Sequence, residues 1–197
     1  GEKMSKSLGN FFTIREVLEK YHPEVVRYLL VASHYRSPIN YSEDNLRESK
    51  AALERFYNAL KGLPVAEPAA AEEFVARFTV AMDDDFNTAG ACSVLFEMAR
   101  EVNRLRDSDT QAAAALAARL KSLAALLGVL QLAPEAFLQA DAAGRVDAAA
   151  VETLIEARLA ARAAKDWTAS DQIRDQLAAM GVLLEDAKGV TTWRLAD

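Results

Sequence analysis

Leu116, Leu120, Leu123, Leu127 and Leu130 recur at alternating spacings of four and three residues, which lays one apolar seam along a helix. A helix built this way must bury its seam against neighbours, so the segment can only belong to a bundle. The alanines around the leucines are strong helix formers and slim enough to let neighbouring helices approach. A second seam, Cys92, Leu95, Phe96, Ala99, Val102 and Leu105, precedes the first and closes at the turn Asp107 to Thr110. Phe74, Phe78, Ala81 and Met82 mark a shorter helix that ends at Asp83, Asp84 and Asp85. The expected fold class is therefore mainly α, with these helices as an antiparallel bundle.

The flanking segments have their own punctuation. Thr13 to Glu16 is a T-x-x-E capping box, with Phe12 and Val17 placed for a hydrophobic staple, so a helix should start at Ile14. Ile14, Val17, Leu18 and Tyr21 give it one apolar face, and Pro23 opens the next helix with a face of Val26, Leu29 and Leu30. Ser33 to Tyr41 reads as a loop. Ser42 then caps a long helix with Leu46, Leu53, Phe56 and Leu60 on one side and Gly62 as its stop. Leu63 to Ala71, with Pro64 and Pro68 among small residues, has the composition of a linker. After the loose stretch Asp141 to Val146, Val151, Leu154, Ile155 and Leu159 form one helix face, and Ile173, Leu177 and Met180 another. Gly181 to Asp186 and Val190 to Leu195 read as strands joined by a turn holding Gly189, giving a small α+β module of two helices and a β-hairpin. The expected division is a polar loop at 1–10, a helical segment at 11–66, a bundle at 67–142 and the terminal module at 147–197.

Of the 197 residues 51% are hydrophobic and 26% charged, enough apolar material for real cores. No run approaches a membrane span and no apolar leader is present, which leads to the expectation of a cytoplasmic protein without a membrane partner. One cysteine, Cys92, excludes an internal disulfide framework and a thiolate-rich metal site, and its place on an apolar stripe makes it a packed thiol. The net charge of -6 divides into +2 for residues 1–62 and -8 for the rest. That balance does not exclude RNA, because unpaired bases are read by a few arginines and aromatic faces.

Lys3, Met4, Ser5, Lys6 and Ser7 spell KMSKS between Gly1 and Gly9. Two ammonium groups three residues apart on such a loop can swing onto a triphosphate and offset the charge that grows on leaving pyrophosphate. As composition alone, the same residues are an ordinary solvated leader. Asp83 to Asp85 cannot all face one ion, so capping of the helix beginning near Thr88 is preferred over a metal site, and His22 and His34 lack a shared spacing; no metal site is expected. Trp167 can be read as a core anchor or as an exposed stacking face, and its neighbours Lys165, Asp166 and Thr168 tilt it toward exposure. Trp193, alternating with Thr192 and Arg194, reads as core. Arg158 and Arg174 stay open between solvated helix faces and a functional role.

KMSKS followed by Leu8-Gly9-Asn10 resembles the second signature of class I aminoacyl-tRNA synthetases. Arg27 to Leu30 running into His34-Tyr35-Arg36-Ser37-Pro38-Ile39-Asn40-Tyr41-Ser42 is similar to the stem-contact region of cysteinyl-tRNA synthetases, and Met82-Asp83-Asp84-Asp85-Phe86-Asn87-Thr88 to their helical domain. Ala164 to Trp167, Asp171, Leu184-Glu185-Asp186, Gly189 and Thr192-Trp193-Arg194 resemble their anticodon-reading module. The resemblance runs in order along nearly the whole chain and is thinnest from Gln111 to Val146. It implies that Lys6 is the catalytic loop lysine, that Lys3, Ser5, Lys6 and Ser7 meet ATP, and that the substrates are cysteine, ATP with Mg, and tRNA(Cys). It further implies that Trp167 stacks on an anticodon base while Arg162, Asp171 and Asp186 hydrogen-bond anticodon edges. No HIGH-type signature, Gly-rich phosphate cradle or cysteine ligand set for that family's zinc is present, so zinc and most of the chemistry are expected in a part upstream of Gly1. A chain opening at Gly1 reads as a cut fragment, expected not to form cysteinyl-adenylate alone. Two other readings are a tRNA-binding module without catalytic duty and a cysteine ligase of the mycothiol-synthesis type, against which Trp167, Asp171 and Asp186 favour tRNA.

Overall fold

The computed structural model describes residues 13–139, 148–187 and 190–195. Among them lie α1 (Ile14–Lys20), α2 (Pro23–Val31), α3 (Glu43–Leu60), α4 (Glu72–Asp83), α5 (Thr88–Leu105), α6 (Thr110–Leu126), the short α7 (Pro134–Leu138), α8 (Ala148–Ala163), α9 (Trp167–Ala179), β1 (Val182–Ala187) and β2 (Val190–Leu195). The mainly helical class with a terminal α+β module is as expected. None of the helices is long and apolar enough to cross a membrane among the described residues. The chain divides into two compact units, Gly1–Glu135 and Ala136–Asp197.

Local signals placed most helix starts. Thr13 closes the capping box, its Oγ1 accepting from the Glu16 amide while the Glu16 carboxylate accepts from the Thr13 amide. The staple partner Phe12 lies outside the described residues. His22 Nδ1 caps α2 by accepting from the Glu24 amide, Pro23 takes the first turn, and Ser42 caps α3. Faces were less legible. Ile14 is 76% exposed and only Val17 of α1 is buried, while α2 turns Val25, Tyr28 and Leu29 inward and leaves Leu30 outside. Seven- and nine-residue helices hold too few turns for apolar spacing to fix a face, so the partner surface chooses it.

In the first unit α5 packs against α3, α4 and α6, and α3 also receives α2. The loops between α4, α5 and α6 are short, so successive helices run antiparallel. Leu46, Leu53 and Phe56 of α3 are fully buried with Leu95, Met98 and Val102 of α5, and Phe56 stacks on Phe96 with ring centroids 4.2 Å apart. All five leucines of the α6 seam are buried. The helix itself stops at Leu126, earlier than the seam suggests, because Gly128 takes a left-handed φ of 69°. A Cβ on Gly128 would stand 3.0 Å from Arg27 Cδ, and its carbonyl accepts from Arg27 Nη1 at 2.7 Å. Leu127 and Leu130 therefore reach the core from the loop.

Residues 63–71 have no helix or strand, as a linker should, yet they do not separate two cores. The Ala69 amide donates to the Ala115 carbonyl, and Arg119 Nε donates back to the Ala69 carbonyl at 2.6 Å. Arg106 reaches across and caps the end of α3, donating to the carbonyls of Lys61, Asn58 and Ala59. The expected boundary between 11–66 and 67–142 is thus crossed by shared packing, and the compact unit runs through both.

A buried polar junction ties α2, α3 and the loop after α6. Tyr57 Oη donates to the Glu24 carboxyl, 2.8 Å from Oε2, and the Leu130 amide donates to Glu24 Oε1. Tyr57 Oη in turn accepts from the Leu132 amide at 3.3 Å. Burial and the bond to Glu24 push the Tyr57 phenol well above its usual range, so it stays a donor.

In the second unit Val151 and Ile155 of α8, Leu177 of α9, Val182 of β1 and Trp193 of β2 form the core, with Leu154, Ile173, Met180 and Leu184 packed around it. The strands pair antiparallel with Val182 opposite Leu195 and Asp186 opposite Thr191. Trp193 is core, as its alternation suggested, and its Nε1 donates to Glu152 at 2.8 Å.

Truncating Leu53 to Ala is expected to destabilise the first unit by about 2–5 kcal/mol, and Tyr57→Phe by about 1–3 kcal/mol through the stranded carboxyl. Leu126→Ala, on an exposed side chain, is expected to change stability by less than about 0.5 kcal/mol. Urea denaturation followed by helical circular dichroism measures all three.

Candidate nucleic-acid interface

The second unit gathers the four residues expected to meet RNA. Along α8, Val151, Ile155, Arg158 and Arg162 follow one another at spacings of four, three and four, so the face that starts as core continues as two guanidinium groups. Side chains two apart in a strand share a face. On β1 the inward series Val182, Leu184, Asp186 therefore begins apolar and ends in a carboxylate, with Thr191 opposite it on β2. The two stripes end together as an ion cluster at the edge of the core.

Its geometry is closed around Asp186. Arg158 grips the carboxylate with both terminal nitrogens, Nη1 to Oδ1 at 3.1 Å and Nη2 to Oδ2 at 2.9 Å. Arg162 Nη1 donates to Oδ2 at 3.1 Å and Thr191 Oγ1 to Oδ1 at 2.6 Å. A carboxylate offers about four acceptor positions, and here four donors meet it. The hydrogen bond from Arg158, then that from Thr191, hold the Asp186 carboxyl far below the usual carboxylate range despite partial burial. Arg158 is raised in turn, mainly by its bond to Asp186 against the cost of burial, with the charges of Asp186 and Asp171 adding to it. Asp186, expected to accept from a base edge, is thus already satisfied within the module.

The turn from α8 to α9 presents the rest. Lys165 adopts φ 60°, and Asp166 caps α9 by accepting from the Ala169 amide at 3.0 Å. Arg162 stands in the last turn of α8 and Trp167 begins α9, so the two residues flank the same turn. Trp167 is 61% exposed and lies outside the core cluster. Asp171 follows one turn later on the Trp167 face of α9, paired with Arg174 Nη1 at 3.1 Å and exposed. An open indole, a half-exposed guanidinium and an exposed carboxylate can stack on a base and bond its edge.

Arg158, left open between a solvated face and a functional role, is only 8% exposed and anchors the cluster. Leu159, expected inward, faces out in its place. The missed signal was spacing: Arg158 follows Val151 and Ile155 on their own face, where hydropathy alone assigns no inward residue.

One other expectation came out differently. The cap of α5 is Asn87, whose Oδ1 accepts from the Gly90 amide at 2.9 Å, rather than the aspartate triplet. Asp85, at φ 50°, instead accepts from Tyr35 Oη at 2.7 Å and pairs with Arg36. Among the described residues no group of three or more His, Cys, Asp or Glu is placed to hold a metal ion. Burial pushes the Cys92 thiol up to about 11, which does not suit a zinc thiolate. Lys3, Ser5, Lys6 and Ser7 lie outside the described residues.

Three family models match the chain: the tRNA synthetases class I (C) catalytic domain over residues 1–51, the DALR domain over 77–131, and the cysteinyl-tRNA ligase anticodon binding domain over 148–194. Over all 197 residues the chain is 83% identical to the cysteine–tRNA ligase of Pseudomonas aeruginosa (strain LESB58), 80% to that of Azotobacter vinelandii and 79% to that of Stutzerimonas stutzeri. The chain spans 43% of the length of these curated relatives.

A pH prediction follows from Asp186. Its folded pKa is depressed, so its stabilisation is complete above the unfolded carboxylate range, about pH 4, and is lost as pH falls toward the folded value. Both tryptophans of the chain lie in the second unit, so their fluorescence reports that unit's melting alone. The melting midpoint of the parent should fall below pH 4, and Asp186→Asn should lie lower at pH 7 with the difference narrowing in acid.

Proposed function

The chain belongs to the cysteine–tRNA ligase family as a C-terminal part, and on that premise we propose that it reads the anticodon of tRNA(Cys) for an enzyme that activates cysteine with ATP and transfers it to that tRNA. The observation that carries the reading is the exposed Trp167 indole at the turn between α8 and α9, a turn that the half-exposed Arg162 flanks from the last turn of α8. Trp167 stacks on an unpaired base, which is tolerant of sequence. Arg162 and Asp171 add the discrimination, donating to base acceptors and accepting from base amino or imino groups respectively. Asp186 holds Arg162 in register. Lys6, with Lys3, Ser5 and Ser7, meets the triphosphate when the cysteine carboxylate attacks the α-phosphorus and pyrophosphate leaves. Magnesium arrives with ATP as part of the substrate and is assigned to no residue here. With ATP and tRNA as substrates, the protein works in the cytoplasm.

Removing the stacking face should cost about 1–3 kcal/mol per base. Trp167→Ala is therefore expected to weaken binding of a tRNA(Cys) transcript about 5- to 150-fold, and a changed anticodon should weaken parent binding while affecting the variant less. Filter binding at fixed salt measures both, and equal affinity of the parent for both transcripts would overturn the assignment. In the full-length enzyme Lys6→Ala should lower ATP–pyrophosphate exchange about 10²- to 10³-fold, the scale of losing one transition-state donor.

A further inference from the structure

Arg158 is a buried cation whose chemistry the proposed reading does not use. It sits one helical turn behind Arg162 on the same face of α8, 8% exposed, and its two terminal nitrogens meet the two oxygens of Asp186. Its Nε is buried and finds no hydrogen-bond partner among the described residues. Leaving such a donor unmade is costly, so the guanidinium is set by the end-on grip on Asp186 rather than by satisfying its own donors. A lysine would pair with the charge but cannot make the parallel two-point bond that fixes the plane of the carboxylate.

That plane has a consequence for Arg162. Asp186 Oδ2 accepts from both Arg158 Nη2 and Arg162 Nη1, so the orientation set by the buried arginine decides where the outer arginine is held. Thr191 fixes the other oxygen from the neighbouring strand. Of the five donors of a guanidinium, Arg162 gives Nη1 to this anchor, and its side chain is left half-exposed in the last turn of α8, just before the turn that leads to Trp167.

We propose that Arg158 is a positioning residue for anticodon discrimination, acting through Asp186 to hold the Arg162 fork at the angle a base edge requires, an inference that rests on the anticodon-reading function above. Arg158 touches no nucleotide. Its loss should change how well right and wrong anticodons are told apart more than how strongly RNA is held.

The test is binding of the 197-residue chain to a tRNA(Cys) transcript and to one with a changed anticodon, for Arg158→Lys, Arg162→Ala and the double variant, with tryptophan fluorescence showing the unit folded. Arg158→Lys is expected to reduce discrimination on the order of tenfold, within the range of a lost base-edge contact. In the Arg162→Ala background it should reduce it little further, because the two act in series. The slope of log affinity against log salt should remain the parent's, since no phosphate contact is removed. Asp186→Asn, which keeps the side-chain size, is expected to show the same series behaviour and stands in if Arg158→Lys does not fold. Unchanged discrimination in Arg158→Lys while Arg162→Ala loses it, additive losses, or a reduced salt slope would overturn the proposal and leave anticodon reading standing. Loss of discrimination by none of the variants, with the parent indifferent to the anticodon, would overturn both.

Discussion

One carboxylate organises the terminal unit. Asp186 stands where two stripes that began as core run out: the inward residues of α8 turn from Val151 and Ile155 to arginines, and those of β1 from Val182 and Leu184 to aspartate. Burying Arg158 without a partner would cost several kcal/mol. Supplied with Asp186, the same burial ties α8 to the hairpin at the edge of the core. An ion pair confers orientation more than net stability, and orientation is what a reader of base edges needs.

The first unit is held on a different principle. Its α5 is flanked by three helices, and apolar seams on α3, α5 and α6 make a core of large aliphatic and aromatic side chains. A buried polar junction, Glu24 with Tyr57 and the amides of Leu130 and Leu132, sits where α2 meets the loop after α6. That loop would otherwise bury unsatisfied amides, which is why a charged residue type sits at a core position. The Asp85 cluster with Tyr35 and Arg36 does similar work at the surface, joining the loop after α2 to the one before α5.

Legibility followed the length of the signal. The seams of α3 and α6 and the helix starts at Thr13, Pro23 and Ser42 were readable because each rests on interactions within a few residues of chain. The faces of α1 and α2 were not, since they depend on what lies opposite. At the candidate interface, the exposure of Trp167 could be anticipated from its polar neighbours, and the core place of Trp193 from strand alternation. The occupation of Asp186 could not, because its donors come from residues 24, 28 and 5 positions away.

By itself the sequence determined a mainly helical chain ending in a small α+β module, and over its 197 residues it matches part of cysteine–tRNA ligases. Those are properties of local spacing and residue identity, fixed before any two elements meet. Only the tertiary structure decided that Arg158 is inside and Leu159 outside, that Asp186 faces its own arginines, and that residues 63–71 run along one compact unit rather than between two. Those outcomes depend on which surfaces approach. A charged side chain goes inside only where folding brings its counter-charge to the same place.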